Sequence, residues 1–225
     1  MAPTAAQQQL QRLRSGGSKT VLLFGCQSLD FNAHQFRSLR RVVLDCPEHH
    51  WVLDVLAELP VYWRTAAKYV PRLQEAIPGG EEQLRELNRW FRSREEKVPD
   101  QSRFPLPYLQ HAPLFMIHHL TQYANYWRMM TGPPAGLSLD GGGPVVEIVG
   151  FCIGFLSAAV AASVTGQAQL PTYGAVGVRL ATLLGAMGDA QEWDQRYTSL
   201  STVWKDPELE RELPRVLEQY PEVGR

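Results

Sequence analysis

The run Val145-Val-Glu-Ile-Val-Gly-Phe-Cys-Ile-Gly-Phe-Leu-Ser-Ala-Ala-Val160 constrains the fold more than any other stretch of the chain. Its first half is rich in β-branched residues and its second half is small, apolar and compatible with a helix. Between the halves stand Gly150, Cys152 and Gly154. Gly-x-Cys-x-Gly between a strand and a helix is the nucleophile-elbow pattern, with sulfur in place of the usual serine hydroxyl. Such a turn forces the nucleophile into a strained conformation, and a side chain two positions to either side would collide with the strand or the helix. A helix starting there points its N–H groups and dipole at the sulfur, which favours a thiolate and an oxyanion.

Two blander readings of the same run stand beside this one. Free cysteine is among the most buried residue types, so Cys152 could be a core thiol. Val145 to Val164 is also long enough to span a bilayer. Against a span, Glu147 lies inside the run, glycine is frequent, and neither Lys nor Arg lies near either end to set a topology.

The remainder of the chain reads as alternating elements. Residues 1–18, ending in Ser15-Gly-Gly-Ser18, read as a disordered lead without the apolar core of a signal peptide. Val21 to Phe24 predicts a first strand, ending in Gly25-Cys-Gln27. Phe36–Leu44 and His49–Leu59 carry apolar residues at helical spacing, with Pro60 and Pro71 as punctuation. Pro78-Gly-Gly80 predicts a turn before an amphipathic charged helix over Glu81–Arg94, and Glu95–Arg103 a loop. Pro113–Met130 predicts an aromatic-rich helix, Thr131–Gly143 a Gly/Pro-rich loop, and Tyr173–Gly188 a further helix after the elbow. Tyr123, Tyr126, Trp127, Met129 and Met130 form a stripe that suits a core better than an acyl pocket.

Several of these segments together resemble one family, the starter-unit acyl-carrier-protein transacylase (SAT) domain of fungal non-reducing polyketide synthases. They are Phe24-Gly-Cys-Gln27, Phe104-Pro-Leu-Pro-Tyr-Leu109, His118-His-Leu-Thr-Gln-Tyr-Ala-Asn-Tyr126, Gly150-Phe-Cys-Ile-Gly-Phe-Leu-Ser-Ala-Ala159 and Ala175-Val-Gly-Val-Arg-Leu-Ala-Thr-Leu-Leu-Gly185. The resemblance runs over residues 19–225, which would form one SAT-like domain after the lead. It implies an α/β fold: a three-layer acyltransferase core like that of malonyl-CoA:ACP transacylases, with a largely parallel sheet incomplete at the C-terminus. It also implies that Cys152 takes an acyl group from acyl-CoA as a thioester, which the phosphopantetheine thiol of an acyl carrier protein then collects. Gln27 and the backbone N–H of Ile153 would form the oxyanion hole, although Ile153 stands where the family more often has Thr. Splitting acyl transfer through a covalent thioester, with preorganised donors on the oxyanion, is sound chemistry. Without the resemblance, Gln27 reads equally as an ordinary strand-end turn residue.

The departure from the family lies in the base. All six histidines (His34, His49, His50, His111, His118 and His119) precede Cys152. The family places its catalytic His well after the nucleophile, beyond a ferredoxin-like subdomain to which Val203-Trp-Lys-Asp-Pro-Glu-Leu-Glu-Arg-Glu-Leu-Pro-Arg-Val-Leu217 looks like the lead-in. The expectation is a fragment or a shortened transacylase, competent for slow acylation but impaired in transfer. His111, His118 and His119 are the histidines placed to substitute, although a His on an amphipathic helix is more often a packed residue. Arg179 could meet a substrate carboxylate, but a solvated helix face is the simpler reading. One alternative is a non-catalytic module that binds acyl chains or a carrier protein. Another is an α/β-hydrolase-type thiol hydrolase, which needs Asp and His after the nucleophile.

Composition sets outer limits. With 225 residues and 44% hydrophobic content the chain can bury a substantial core. A net charge of −1 gives no electrostatic case for nucleic acid. Three unequally spaced cysteines make neither a disulfide framework nor a zinc pattern, so no metal and no bound cofactor are expected, with acyl-CoA serving as substrate. Cys26, next to Gln27, could be a second reactive thiol, but a buried strand residue is the better reading, and Cys46 reads as a core or surface thiol. The expectation is a cytoplasmic protein with no membrane partner.

Overall fold

A computed structural model of the chain describes residues 20–25, 31–93, 99, 101–131, 146–193 and 215. The order of elements is β1 (Thr20–Phe24), α1 (Ala33–Asp45), α2 (Trp51–Tyr69), α3 (Pro71–Ala76), α4 (Gly80–Arg92), α5 (Tyr108–Thr131), β2 (Val146–Gly150), α6 (Ile153–Ser163) and α7 (Leu170–Trp193). The two strands run parallel, in a register that sets Thr20 opposite Val146 and Phe24 opposite Gly150. The fold is therefore α/β but mostly helical, with a small parallel sheet. The expected lead over residues 1–18, the loop before β2 and the segment after α7 lie outside the described residues.

Strand alternation gives the sheet two unlike faces. Leu22, Phe24 and Ile148 turn toward the helices and join the core, whereas Val21, Leu23 and Val149 are exposed. Among the described residues the helices thus cover one face only, and the three-layer core expected from the resemblance is not seen there. No described helix is long and apolar enough to cross a membrane. The candidate span resolves instead into β2, a turn and α6.

The helical mass forms around large side chains that the 3.6-residue period brings to one side. Phe36, Leu56, Leu59, Trp63, Leu84, Leu87, Phe91, Leu109 and Phe115 are fully buried. Removing each such side chain from water stabilises by about 1.5–3 kcal/mol. Pro60 lies inside α2 rather than ending it. A proline interior to a helix costs roughly 3 kcal/mol, and here the residue is itself buried along with Leu56, Leu59 and Trp63 of the same helix, which offsets that cost. The α1 helix begins earlier than its apolar pattern suggests because Asn32 and Gln35 form a capping box. Asn32 Oδ1 accepts from the N–H groups of His34 and Gln35 at 3.0 and 3.1 Å, and Asn32 N–H donates back to Gln35 Oε1 at 2.9 Å.

The long helices α5 and α7 pack together, and a carboxylate from one starts the other. Asp189 on α7 accepts from the N–H groups of Tyr108 and Leu109 at 2.9 and 2.8 Å. Anionic capping of this kind satisfies orphan donors and complements the helix dipole. It explains why α5 starts at Tyr108 and runs through Pro113 instead of starting there. Gly174 and Gly177 of α7 leave room for Trp51 and Met116, so α7 lies close against both α2 and α5.

The N-terminal turn of α6 seats in backbone contact with the end of β1. A Cβ on Gly154 would strike the carbonyl groups of Phe24 and Gly25, and a Cβ on Gly150 would lie 2.5 Å from Phe155 Cα and strike the Gly154 carbonyl. Backbone atoms cannot yield as a flexible side chain does. We expect Gly150→Val and Gly154→Val each to destabilise the chain by several kcal/mol, on the order of the largest single-site effects, read as a fall in Tm. Melting like that of the parent for both would show that the close seat is dispensable.

Burial of imidazoles makes stability depend on pH. Burial, with a smaller contribution from neighbouring His118, pushes His119 from 6.5 down to about 4. Burial likewise lowers His49, His111 and His118. A folded-state pKa below the unfolded value means that the unfolded chain binds more protons between the two values, so stability falls as pH drops from about 6.5 toward 4. His119 alone would remove about 2 kcal/mol by pH 5, at 1.36 kcal/mol per unit. Urea midpoints at pH 7 and pH 5 should differ accordingly, and equal midpoints would show that these imidazoles protonate freely in the folded chain.

Candidate active site

The elbow expected from Gly150, Cys152 and Gly154 is present as a strand, a tight turn and a helix. β2 ends at Gly150, α6 begins at Ile153, and Cys152 between them has φ 57° and ψ −131°. Cys152 is the only described non-glycine residue with positive φ. A residue bearing a Cβ in such a region costs about 1–3 kcal/mol, held in place by its surroundings. Those surroundings are rigid on both sides. Phe151 N–H donates to the Phe24 carbonyl at 3.0 Å, continuing the β1–β2 ladder one residue past the strand. Gly154 N–H then donates to the Phe151 carbonyl at 3.0 Å and Phe155 N–H to the Cys152 carbonyl at 3.0 Å, which closes the turn into the helix.

Cys152 is a free, exposed thiol, which removes the core-thiol reading. Phe151 and Phe155, at 67% and 68% exposure, flank it and give the surface around the sulfur an apolar character. The side chain of Ile153 is buried, whereas its N–H, at the first position of α6, is taken by no backbone partner among the described residues. Among the described residues no side-chain cap and no first-turn carboxylate occupies the start of α6. That end is therefore open to an incoming partially negative oxygen. Gln27 and Cys26 lie outside the described residues. Cys46 caps the C-terminus of α1 and is half-buried.

The histidines singled out on the sequence all stand on α5. His111 and His119 are buried and His118 is half-buried. They surround Phe31 and Phe115: His111 and His118 lie 6.0 and 6.1 Å from the Phe31 ring, and His119 lies 4.6 Å from Phe115. Their packing is that of core residues. His119 also reaches both walls of the elbow, with its ring edge-on to Phe24 at 5.4 Å and Nδ1 2.9 Å from Ser157 Oγ on α6. Ser157 was not among the residues picked out on the sequence, though a lone hydroxyl on the inward side of an otherwise apolar helix is a readable signal.

Arg179 is not turned toward the elbow thiol for a substrate. It pairs with Glu58 of α2 and ties α7 to that helix, a surface role of modest energy. Tyr123, from the aromatic stripe, is buried and donates to the Ala161 carbonyl at 3.0 Å. Its stripe neighbour Met129 is exposed. Among the described residues no group of three His, Cys, Asp or Glu side chains is placed to hold a metal ion.

Comparison with known proteins agrees with the elbow geometry. Residues 22–206 match the family model SAT, described as starter unit:ACP transacylase in aflatoxin biosynthesis. The chain is 54% identical over 196 residues to a non-reducing polyketide synthase, pkiA, of Emericella nidulans, a match covering 86% of this chain and 7% of that protein. It is 36% identical over 214 residues to the non-reducing polyketide synthase pigA of Monascus ruber (94% of this chain, 8% of that protein). It is 37% identical over 211 residues to the clavatol synthase claF of Penicillium crustosum (90% and 8%). The chain thus spans less than a tenth of the length of these relatives. With a model match over most of its length and relatives among non-reducing polyketide synthases, this chain belongs to the SAT family of fungal polyketide synthases.

Proposed function

We propose that the chain is a starter-unit acyltransferase in which Cys152 carries the acyl group. The observation that carries this reading is an exposed cysteine held at φ 57° between β2 and α6, within a chain matched to SAT over residues 22–206. Cys152 Sγ attacks the thioester carbonyl of an acyl-CoA, and a tetrahedral oxyanion forms. The intermediate collapses with loss of coenzyme A as thiolate, which takes up a proton, leaving an acyl thioester on Cys152. The phosphopantetheine thiol of an acyl carrier protein then attacks that thioester, takes the acyl group and returns Cys152 to its free form.

Three features of the site support the roles. The Ile153 N–H, without a backbone partner among the described residues, is the donor we assign to the oxyanion, and a single such donor contributes about 3–4 kcal/mol in catalysed acyl transfer. Gln27, three residues past the end of β1 in sequence, is the side chain we assign as second donor. The exposed rings of Phe151 and Phe155 offer apolar surface next to the sulfur, which suits the hydrocarbon part of an acyl group. A second reading, a module that binds the acyl chain or carrier protein without turning it over, is favoured by one observation. The α5 histidines are packed as core residues rather than presented as a base.

The test that separates the two readings is chemical. Incubation with short- and medium-chain acyl-CoA should add the acyl mass to the intact chain, with peptide mapping placing it on Cys152. Cys152→Ala should abolish the adduct. Stable labelling of Cys26 or Cys46 with Cys152 untouched would overturn the assignment, and binding of acyl-CoA with no adduct would establish the non-catalytic module.

A further inference from the structure

The elbow helix is short, and among the described residues no side chain caps its start, so contacts along its length help to fix where it sits along its own axis. Two buried polar contacts join it to α5, one helical turn apart. His119 Nδ1 lies 2.9 Å from Ser157 Oγ, and Tyr123 OH donates to the Ala161 carbonyl at 3.0 Å. Both pairs have the same sequence offset, so α5 and α6 run parallel and are keyed in one register. Ser157 is fully buried and its Oγ also lies 3.0 Å from Met116 Sδ. A thioether sulfur can only accept, so the serine hydroxyl donates to it. The remaining bond then runs from a proton on His119 Nδ1 to Ser157 Oγ.

His119 has a second role at the same place. Its ring meets Phe24 edge-on at 5.4 Å, and the Phe24 carbonyl both receives Phe151 N–H and forms the wall against which Gly154 is seated. One imidazole on α5 therefore touches both α6, which starts at the elbow, and the end of β1 against which α6 is seated. Burial keeps that imidazole uncharged at neutral pH, since its pKa is pushed down to about 4.

We propose that His119 is a positioning residue for Cys152, holding α6 in axial register through Ser157 and bracing β1 through Phe24, with its ring proton on Nδ1. This rests on Cys152 being the reacting thiol. It differs from a general-base role because His119 acts through other residues.

The test uses the full chain and four variants, each first shown to unfold cooperatively and then assayed well below its own Tm. Two rates are read: acylation of Cys152 by acyl-CoA, and alkylation of Cys152 by iodoacetamide, followed by peptide mass. Ser157→Ala, His119→Leu and His119→Gln should lower the acylation kcat by about 10- to 100-fold, the scale of a small misplacement of a reacting atom, with KM nearly unchanged. Each should also change the alkylation rate of Cys152 but not that of Cys46. His119→Asn, whose amide N–H falls where Nδ1 was, should recover most of the rate, whereas His119→Gln, which reaches the Nε2 position, should not. Rates like those of the parent in folded Ser157→Ala would overturn the proposal, as would His119→Asn no faster than folded His119→Leu. If His119→Leu fails to fold, Ser157→Ala and the Asn/Gln pair decide. If the parent chain itself takes no acyl group on Cys152, the nucleophile reading fails, and the alkylation rates still decide the positioning role.

Discussion

How closely α6 can approach the end of β1 governs everything at the elbow. Gly154 has no side chain, so the helix settles against the carbonyl groups of Phe24 and Gly25, and Gly150 lets the strand pass under Phe155. With both approaches at backbone contact, the connection between β2 and α6 has only two residues in which to reverse direction. Cys152 is one of them and takes the positive φ that the reversal demands. The strain sits at the residue whose side chain is thereby lifted into solvent. The same geometry makes the thiol accessible and leaves the Ile153 N–H without a backbone partner among the described residues.

The helices supply the rigidity this arrangement needs. A two-stranded sheet alone is marginal in water, and here its packed face rests on α5 and its neighbours through Leu22, Phe24 and Ile148. α5 in turn is started by Asp189 of α7 and filled along its length by Leu109, Phe115, Ile117 and Leu120. Strain at Cys152 is tolerable because its two flanking elements are fixed to one helical platform. The apolar outer face of the sheet, with Val21, Leu23 and Val149 exposed, is unusual for parallel strands, which are ordinarily covered on both faces.

Local pattern explains the elements that could be read directly. Strand β1 matches its apolar run closely, and α4 starts just after Pro78-Gly79, where the turn chemistry is local. The elbow was legible for the same reason: the steric demand of a two-residue reversal falls on glycines at fixed spacing from Cys152. Misreadings occurred where distant parts of the chain outweighed local propensity. Pro60 continues a helix because the ring and its neighbours are buried in the core. α5 begins before Pro113 because its cap comes from Asp189, far along the chain. The start of α1 was local but missed, since the Asn32–Gln35 box precedes the apolar periodicity that marks the helix.

What the sequence by itself determined is the elbow centred on Cys152 and the family: the order strand, Gly-x-Cys-x-Gly, helix, and the motifs shared with SAT domains. These follow from sterics and chemistry confined to a few consecutive residues. Only the tertiary structure decided which side chains surround that centre. It turned Arg179 to Glu58, packed His111 and His118 around Phe31, and set His119 between Phe24 and Ser157. Helical periodicity places a side chain on a face, but its partner is chosen by how two separately folded elements dock. The pairing of residue 119 with residue 157 depends on the axial register of α5 and α6, which long-range packing sets and no local pattern encodes.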